Sequence, residues 1–496
     1  MRAVGHPEQP IEVDADHVVV RLATTPVALP SGLLERLRSV CAVVDDLETR
    51  VASSRDWWFL GMTWAVEGKV AQITSAVARP KDATEVAAIL RLCNDAGVPV
   101  TPASGRSGGE GGLVPVFGGV TLDMTGIAGI VDLDGESLTV EVLPGTFGLD
   151  FEHELRSRGY TLGHWPQSIE MSTVGGWLSC RGAGQYAAKY GKIEDMVIGL
   201  SVVLADGTSI RTGGGPRASA GPDLNQLFVG AEGTLGVITS ARLRLHPAPA
   251  HQRAAAFGVP DFVDAIDICR GILRTGARPA VLRCHEPSEA QRLFGHEGDT
   301  SLLIALDEGD QRLVDVTMDI VEAECAGRAE PLGEGPATNW LEQRNDVSWV
   351  GPFLSKGFVM DTVEMAGPWS VLPAMYRDVI VALHQVPHMR AASCRISHAY
   401  LDGACLYFSF TTRPPEDERE ATFIAAWDAA TRAGLAAGGN LAHHHGVGIN
   451  RSRYMREALG PAHGVLQKIK DALDPKDVCN PGKLGFAAPY GTTSWP

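Results

Sequence analysis

The clearest ordering of apolar and polar positions lies at residues 78–103, ARPKDATEVAAILRLCNDAGVPVTPA. Val86, Ile89, Leu90 and Cys93 recur there at helical spacing. Asp82 and Glu85 stand before them as a capping box, and Gly97 is a helix stop. VPVTP resumes as a strand, so a helix feeds a strand and then a glycine-rich loop. Leu138, Val140 and Val142 alternate as a strand does, and GLDFEHELRSRGY reads as a helix closed by Gly159. GLSVVLADGTSIRT predicts a hairpin turning at Asp206 and Gly207, and ARLRLHP alternates again. Upstream, GLLERLRSVCAVVDDL (32–47) has helical apolar spacing, and SRDWWFLGMTW (54–64) supplies tryptophans for packing or for lining a pocket. HPAPAHQ (246–252) marks a boundary, after which helices and strands mix. Leu406, Phe408 and Phe410 alternate with Tyr407 and Ser409 along one strand, and helix returns near 461–473. The pattern divides the chain into an N-terminal helical segment (1–72), an α+β domain (73–250), a second α+β domain (251–440) and a returning segment (441–496).

A length of 496 residues accommodates these units and a large core. The formal net charge of −16, with no Lys/Arg cluster, excludes nucleic acid as a partner and disfavours anionic membrane surfaces, leaving only peripheral contact. Nine scattered cysteines without a CxxC pair read as reduced thiols in a cytoplasmic protein. The first twenty residues lack the apolar core of a secretory signal, and no run is long enough to span a membrane. A homodimer is expected.

Three glycine-rich stretches fall in one domain: SGRSGGEGG (104–112), PQSIEMSTVGGWLSCRGAG (166–184) and GAEGTLGVIT (230–239). Such loops let backbone N–H groups approach phosphate oxygens. The first lacks GxGxxG spacing and no amphipathic helix follows it, so it is not a Rossmann turn. Three loops together suggest a large phosphate-bearing cofactor. LAHHHGVG (441–448) contains three adjacent histidines, open to reading as acid/base groups or as a polar turn. Adjacent imidazoles in a turn point different ways, which argues against one shared metal, and no metal site is expected. Tyr407 presents a phenol from its strand, and Arg283 ends the apolar run RPAVLRC as a candidate anion clamp or a solvated end.

GHWPQSIEMSTVGGWLSCRGAG, YGKIEDMV, GPDLNQLFVGAEGTLGVIT, SHAYLDGACLYFSF and NLAHHHGVG resemble the vanillyl-alcohol oxidase superfamily of FAD flavoproteins, and within it the alkylglycerone-phosphate synthase (alkyl-dihydroxyacetone-phosphate synthase) family. The likeness is strong over 75–250 and 390–450 and thin at 1–70 and 290–385. It implies a PCMH-type FAD-binding domain with an α+β cap, and noncovalent FAD. It further implies exchange of an acyl for an alkyl group on a lipid-like substrate through a flavin N5 adduct, a step of ether lipid biosynthesis. Ser104, Gly105, Arg106, Ser107, Gly108 and Gly109 would meet the pyrophosphate. Pro166, Ser168, Thr173, Gly175 and Gly176 would wrap the isoalloxazine side, and Glu232, Gly233, Thr234 and Ile238 would complete the cradle. Tyr407 would be the catalytic phenol, His443, His444 and His445 the histidine cluster, and Arg283 the substrate-binding arginine.

A rival reading is an FAD-dependent oxidase or dehydrogenase of a hydroxy acid, alcohol or amine. Metal-dependent relatives of that kind resemble GHxGDGNxH followed by GEHGIG. Here His398 survives, but Tyr407 and His444 replace a histidine and a glutamate, which should dismantle a divalent site. Relatives with a histidyl flavin link carry His after RSGG; this chain has Glu110. Two features favour the rival: Arg106 stands where the synthase family has glycine, and the tail NPGKLG resembles the oxidase branches. A flavin-binding protein without turnover is the third possibility, and it requires a broken acid/base set.

Overall fold

The computed structural model describes residues 9–296 and 298–492; the first eight residues of the stretch read above for a signal lie outside that range. Three sheets organise it. The first has four strands: β1 (Ala42–Val44), β2 (Ala76–Arg79), β3 (Val100–Ala103) and β4 (Val120–Asp123), in the order β1-β2-β4-β3. β2 and β3 both pair parallel with β4, joined through α1 (Ala83–Ala96). That helix forms as its sequence dictates. Asp82 accepts from the Glu85 N–H at 2.9 Å, Gly97 closes it at φ +64°, and Val86, Ile89, Leu90 and Cys93 are buried. The stretch 32–47 departs from expectation. Its helix covers only Leu33–Arg38, and the β-branched Val43 and Val44 pair with Ala78 and Val77 at the sheet edge.

The second sheet contains β5 (Ile130–Asp134), β6 (Thr139–Val142), β7 (Val197–Val203), β8 (Ser209–Gly213) and β9 (Val237–Arg244), in the order β8-β7-β9-β6-β5. β7 and β8 form the hairpin expected at Asp206 and Gly207, where Gly207 has φ +82°. Helix α2 (Val174–Cys180) packs near β9 behind the second glycine-rich loop.

The third sheet is antiparallel and holds β10 (His251–Val259), β11 (Val281–His285), β12 (Ser301–Gly309), β13 (Glu330–Gly333), β14 (Val359–Pro368), β15 (Met389–Ala399) and β16 (Gly403–Thr412). Its order is β13-β10-β12-β11-β15-β16-β14. Helices α3 (Phe262–Arg274), α5 (Leu372–His384) and α6 (Arg419–Ala436) bury their apolar sides in its large core, beside Leu406, Phe408 and Phe410. The other face looks toward the glycine-rich loops, with α4 (Pro287–Phe294) at its rim.

The end of the chain returns to the first sheet. After α7 (Pro461–Leu473), the Val100 N–H donates to Val478 O at 2.8 Å and the Asn480 N–H to Val100 O at 2.9 Å. Asn480 Nδ2 then donates to Gly112 O (3.0 Å) and Glu232 O (2.7 Å), and buried Lys483 donates to Val114 O at 2.7 Å. The NPGKLG tail thus ties the first glycine-rich loop to the third. All nine cysteines are free. Among the described residues no helix is long and apolar enough to cross a membrane.

A Cβ on Gly105 would lie 2.2 Å from Met171 O, so the first and second loops meet only because that side chain is absent. Gly105→Ala should cost about 1–3 kcal/mol by overpacking. A thermal melt should show the loss, and the purified variant should retain less cofactor than wild type.

Candidate functional site

The three loops and the open face of the seven-stranded sheet enclose one cleft of about 600 Å³, within the range of cofactor and small-molecule sites. Ser104, Gly105, Arg106, Ser107, Gly108 and Gly109 line it, as do Pro166, Ser168, Thr173, Gly175 and Gly176. Thr173 Oγ1 donates to Ser104 Oγ at 3.0 Å, joining the first two loops. Glu232, Gly233 and Ile238 also reach the cleft. Thr234 does not line it; it is buried, and its hydroxyl donates to Ala231 O. Arg106 has φ +55°, a left-handed conformation that glycine adopts without strain. Its Nη1 turns away and donates to Ala52 O at 2.6 Å.

The site has room and partners for a large cofactor. Cβ atoms added at Gly109 or Gly112 would meet nothing within 4 Å, so these positions border open space. Asp56 Oδ2 is buried beside Gly108 without a hydrogen-bond partner, and burial pushes the Asp56 carboxyl up to about 7.

One wall of the cleft is built by strand register. Glu364, Tyr407, Arg395 and His285 stand opposite one another on β14, β16, β15 and β11, in one cross-strand row. Arg283 precedes His285 by two residues, in mid-strand rather than at a strand end. Pleating sends i and i+2 side chains to the same face, so the row and Arg283 share a side. The Arg395 guanidinium lies 3.9 Å from the centroid of the Tyr407 ring. Burial pushes the Tyr407 phenol up to about 12, with Arg395 opposing, so it is protonated at neutral pH.

Glu364 is fully buried at the end of this row. Its Oε1 accepts from the backbone N–H groups of His443 (3.3 Å), His444 (3.1 Å) and His445 (2.9 Å). Arg451 grips both of its oxygens, and His445 Nδ1 lies 3.2 Å from Oε2. Burial alone would neutralise Glu364, but Arg451 and His445 outweigh it and hold it well below the usual carboxylate range. From the other side, Glu232 accepts from the Val447 and Gly448 N–H groups. Its carboxylate therefore anchors the histidine loop rather than facing a cofactor phosphate. Gly448 has φ +53°, and a Cβ there would lie 2.0 Å from Glu110 O.

The three histidines divide their directions. His445 turns to Glu364 and packs edge-on to Tyr407 at 5.6 Å, while the His444 ring stacks on Tyr407 at 5.9 Å. His443 lies behind the cleft wall, with Nε2 2.9 Å from the Tyr400 hydroxyl and Nδ1 2.8 Å from His444 Nδ1. Burial, aided by neighbouring imidazoles, holds His443 and His444 well below the ordinary histidine value, so both are neutral at pH 7. Against the expectation of diverging rings, His443 and His444 converge with His398 and Cys405, their donor atoms all within 4.8 Å of one another.

Glu364, Arg395, His285, Glu289 and Arg451 were not singled out from the sequence. Glu364 did carry a signal: it is the second acid in VMDTVEMAG, an otherwise apolar strand, where a charged group needs a partner.

Residues 74–213 match the FAD binding domain family, and residues 248–484 match the C-terminal domain of FAD linked oxidases. The chain is 30% identical over 455 residues to alkyldihydroxyacetonephosphate synthase of Dictyostelium discoideum, covering 84% of this chain and 74% of that one. It is 30% identical over 438 residues to the FAD-linked oxidoreductase YgcU of Escherichia coli, covering 83% and 89%. A solved alkyldihydroxyacetonephosphate synthase superposes with a TM-score of 0.79 at 25% identity, over 96% of this chain and 89% of that one. The chain belongs to the FAD-linked oxidases of the vanillyl-alcohol oxidase superfamily, with a PCMH-type FAD-binding domain and a cap; it is an enzyme and its cofactor is FAD.

Glu364→Gln removes the charge that Arg451 requires. Glu110 remains beside that guanidinium, so losing the Glu364 charge should cost about 1–3 kcal/mol in denaturant unfolding. The sign with pH follows from the lowered value. Glu364 contributes its stability above the unfolded glutamate pKa of about 4.3, and that stability is lost as pH falls below it. The variant should lack this part of the acid limb.

Proposed function

We propose that this FAD-dependent enzyme replaces an acyloxy by an alkoxy group on a phosphorylated three-carbon ketone, the chemistry its synthase relatives are named for. Tyr407 and His443, His444 and His445 are the acid/base groups of this reading. The observation that carries it is a protonated phenol held against the neutral His444 imidazole, with the His445 ring edge-on to it, on one wall of the cleft. Bound FAD supplies N5 as the reactive centre of the exchange. His445 donates Nδ1–H to ionised Glu364, which leaves Nε2 as the acceptor for the proton of the incoming alcohol. The Tyr407 O–H hydrogen-bonds the carboxylate as its bond to C1 breaks and the fatty acid leaves. Arg283, lining the same cleft, takes the phosphate. One C–O bond breaks and another forms, with no net oxidation, and the product is an ether-lipid precursor.

Noncovalent FAD is supported by Glu110, which is engaged with Asn450 Nδ2 (2.8 Å) and Arg451 Nη2 (3.1 Å) at the place where linked relatives carry histidine. In this reading residues 73–250 and the returning segment 441–496 hold the cofactor, and 251–440 hold the substrate. A second reading, an FAD-dependent oxidase or dehydrogenase of a hydroxy acid, alcohol or amine, is favoured by the match to 89% of the oxidoreductase YgcU.

Acyl-dihydroxyacetone phosphate and a long-chain alcohol should release fatty acid, with the flavin spectrum oxidised at the end. Steady bleaching by a hydroxy acid or alcohol, reversed by oxygen or a dye, would establish the second reading instead. Tyr407→Phe should abolish turnover with flavin still bound; wild-type rates in that variant would exclude the phenol from the mechanism.

A further inference from the structure

A single carboxylate serves two cations of the cleft. Glu289, on α4, is fully buried and accepts from Arg395 Nη1 at 2.5 Å and lies 2.8 Å from His285 Nδ1. Burial favours its neutral form, but Arg395 and His285 outweigh that and hold it well below the usual carboxylate range. An ionised Glu289 pins the Arg395 guanidinium against the Tyr407 ring.

The second arm runs through His285. Burial holds this imidazole down to about 4, so it is neutral at pH 7 and carries one N–H. A carboxylate only accepts, so that hydrogen lies on Nδ1 and Nε2 is left bare. Arg283 Nε donates to Nε2 at 3.2 Å, and the Trp340 ring centroid lies 4.8 Å from its guanidinium carbon. Among the described residues nothing accepts from the terminal nitrogens of Arg283, which lines the cleft. The two arginines therefore differ in kind. Arg395 is neutralised by Glu289; Arg283 is aimed but left with unmatched charge for a bound anion.

We propose that Glu289 is a positioning residue with two separable arms, one fixing Arg395 under Tyr407 and the other aiming Arg283 at an anionic substrate group through the tautomer of His285. The proposal rests on the roles given above to Tyr407 and Arg283.

The test uses the FAD-loaded enzyme, with inorganic phosphate as the anion probe in calorimetric titrations and kcat measured on the substrate class that turns over. Glu289→Gln should weaken phosphate about tenfold, the worth of one charge-assisted hydrogen bond, and lower kcat about tenfold. His285→Gln leaves the Glu289–Arg395 pair in place; it should weaken phosphate to the same extent but lower kcat less than Glu289→Gln does. The double variant should bind phosphate no more weakly than either single variant, as expected of residues on one path. Additive losses, or unchanged phosphate affinity in both single variants with normal flavin content, overturn the proposal. If wild type binds no phosphate, the anion role of Arg283 falls and this inference falls with it. If phosphate responds as expected but neither substrate class reacts, the reaction is wrong and the Arg283 arm stands.

Discussion

The contact between Glu364 and the loop that carries the histidines organises the site. That loop comes from the returning end of the chain, whereas Glu364 belongs to an edge strand of the cap sheet. Three successive N–H groups converge on one carboxylate oxygen, and Arg451 supplies the compensating charge. A buried ion is tolerable only when its lone pairs are used this fully. Glu232 repeats the device from the third glycine-rich loop, so the histidine loop hangs between two carboxylates.

Sheet register then distributes charge along the wall of the cleft. A carboxylate stands at one end of the row, a neutral phenol next to it, a guanidinium beyond, and a neutral imidazole last. The charged partners come from outside the sheet: Arg451 for Glu364, and Glu289 on α4 for Arg395 and His285. Burial pushes every one of these groups toward neutrality, and specific partners restore charge only at Glu364, Glu289 and Arg395. The outcome is a wall whose acid and base forms are both populated at one pH.

Local patterns were readable in the sequence because they depend on near neighbours. The helix at Ala83–Ala96, its cap and stop, and the Asp206–Gly207 hairpin follow from residues a few positions apart. The strand at Ala42–Val44 was missed because its apolar spacing fits a helix equally well and only an edge partner decides. Tyr407 and the three histidines were singled out through family likeness, but the cross-strand row in which Tyr407 stands was not. Glu364 and His285 lie 43 and 122 residues from Tyr407, and no local pattern encodes which strands become neighbours. Thr234 and Glu232 show the complementary limit. A glycine-rich loop announces a cradle, yet not which of its side chains turn inward to hold the loop itself.

The bridge from Asn480 to both Gly112 and Glu232 has a temporal meaning. Asn480 stands 368 residues after Gly112 and 248 after Glu232, so it is made long after both loops. Nascent domains fold in the order of their synthesis. The vitamin-derived prosthetic group is therefore captured by a polypeptide already made as far as Asn480.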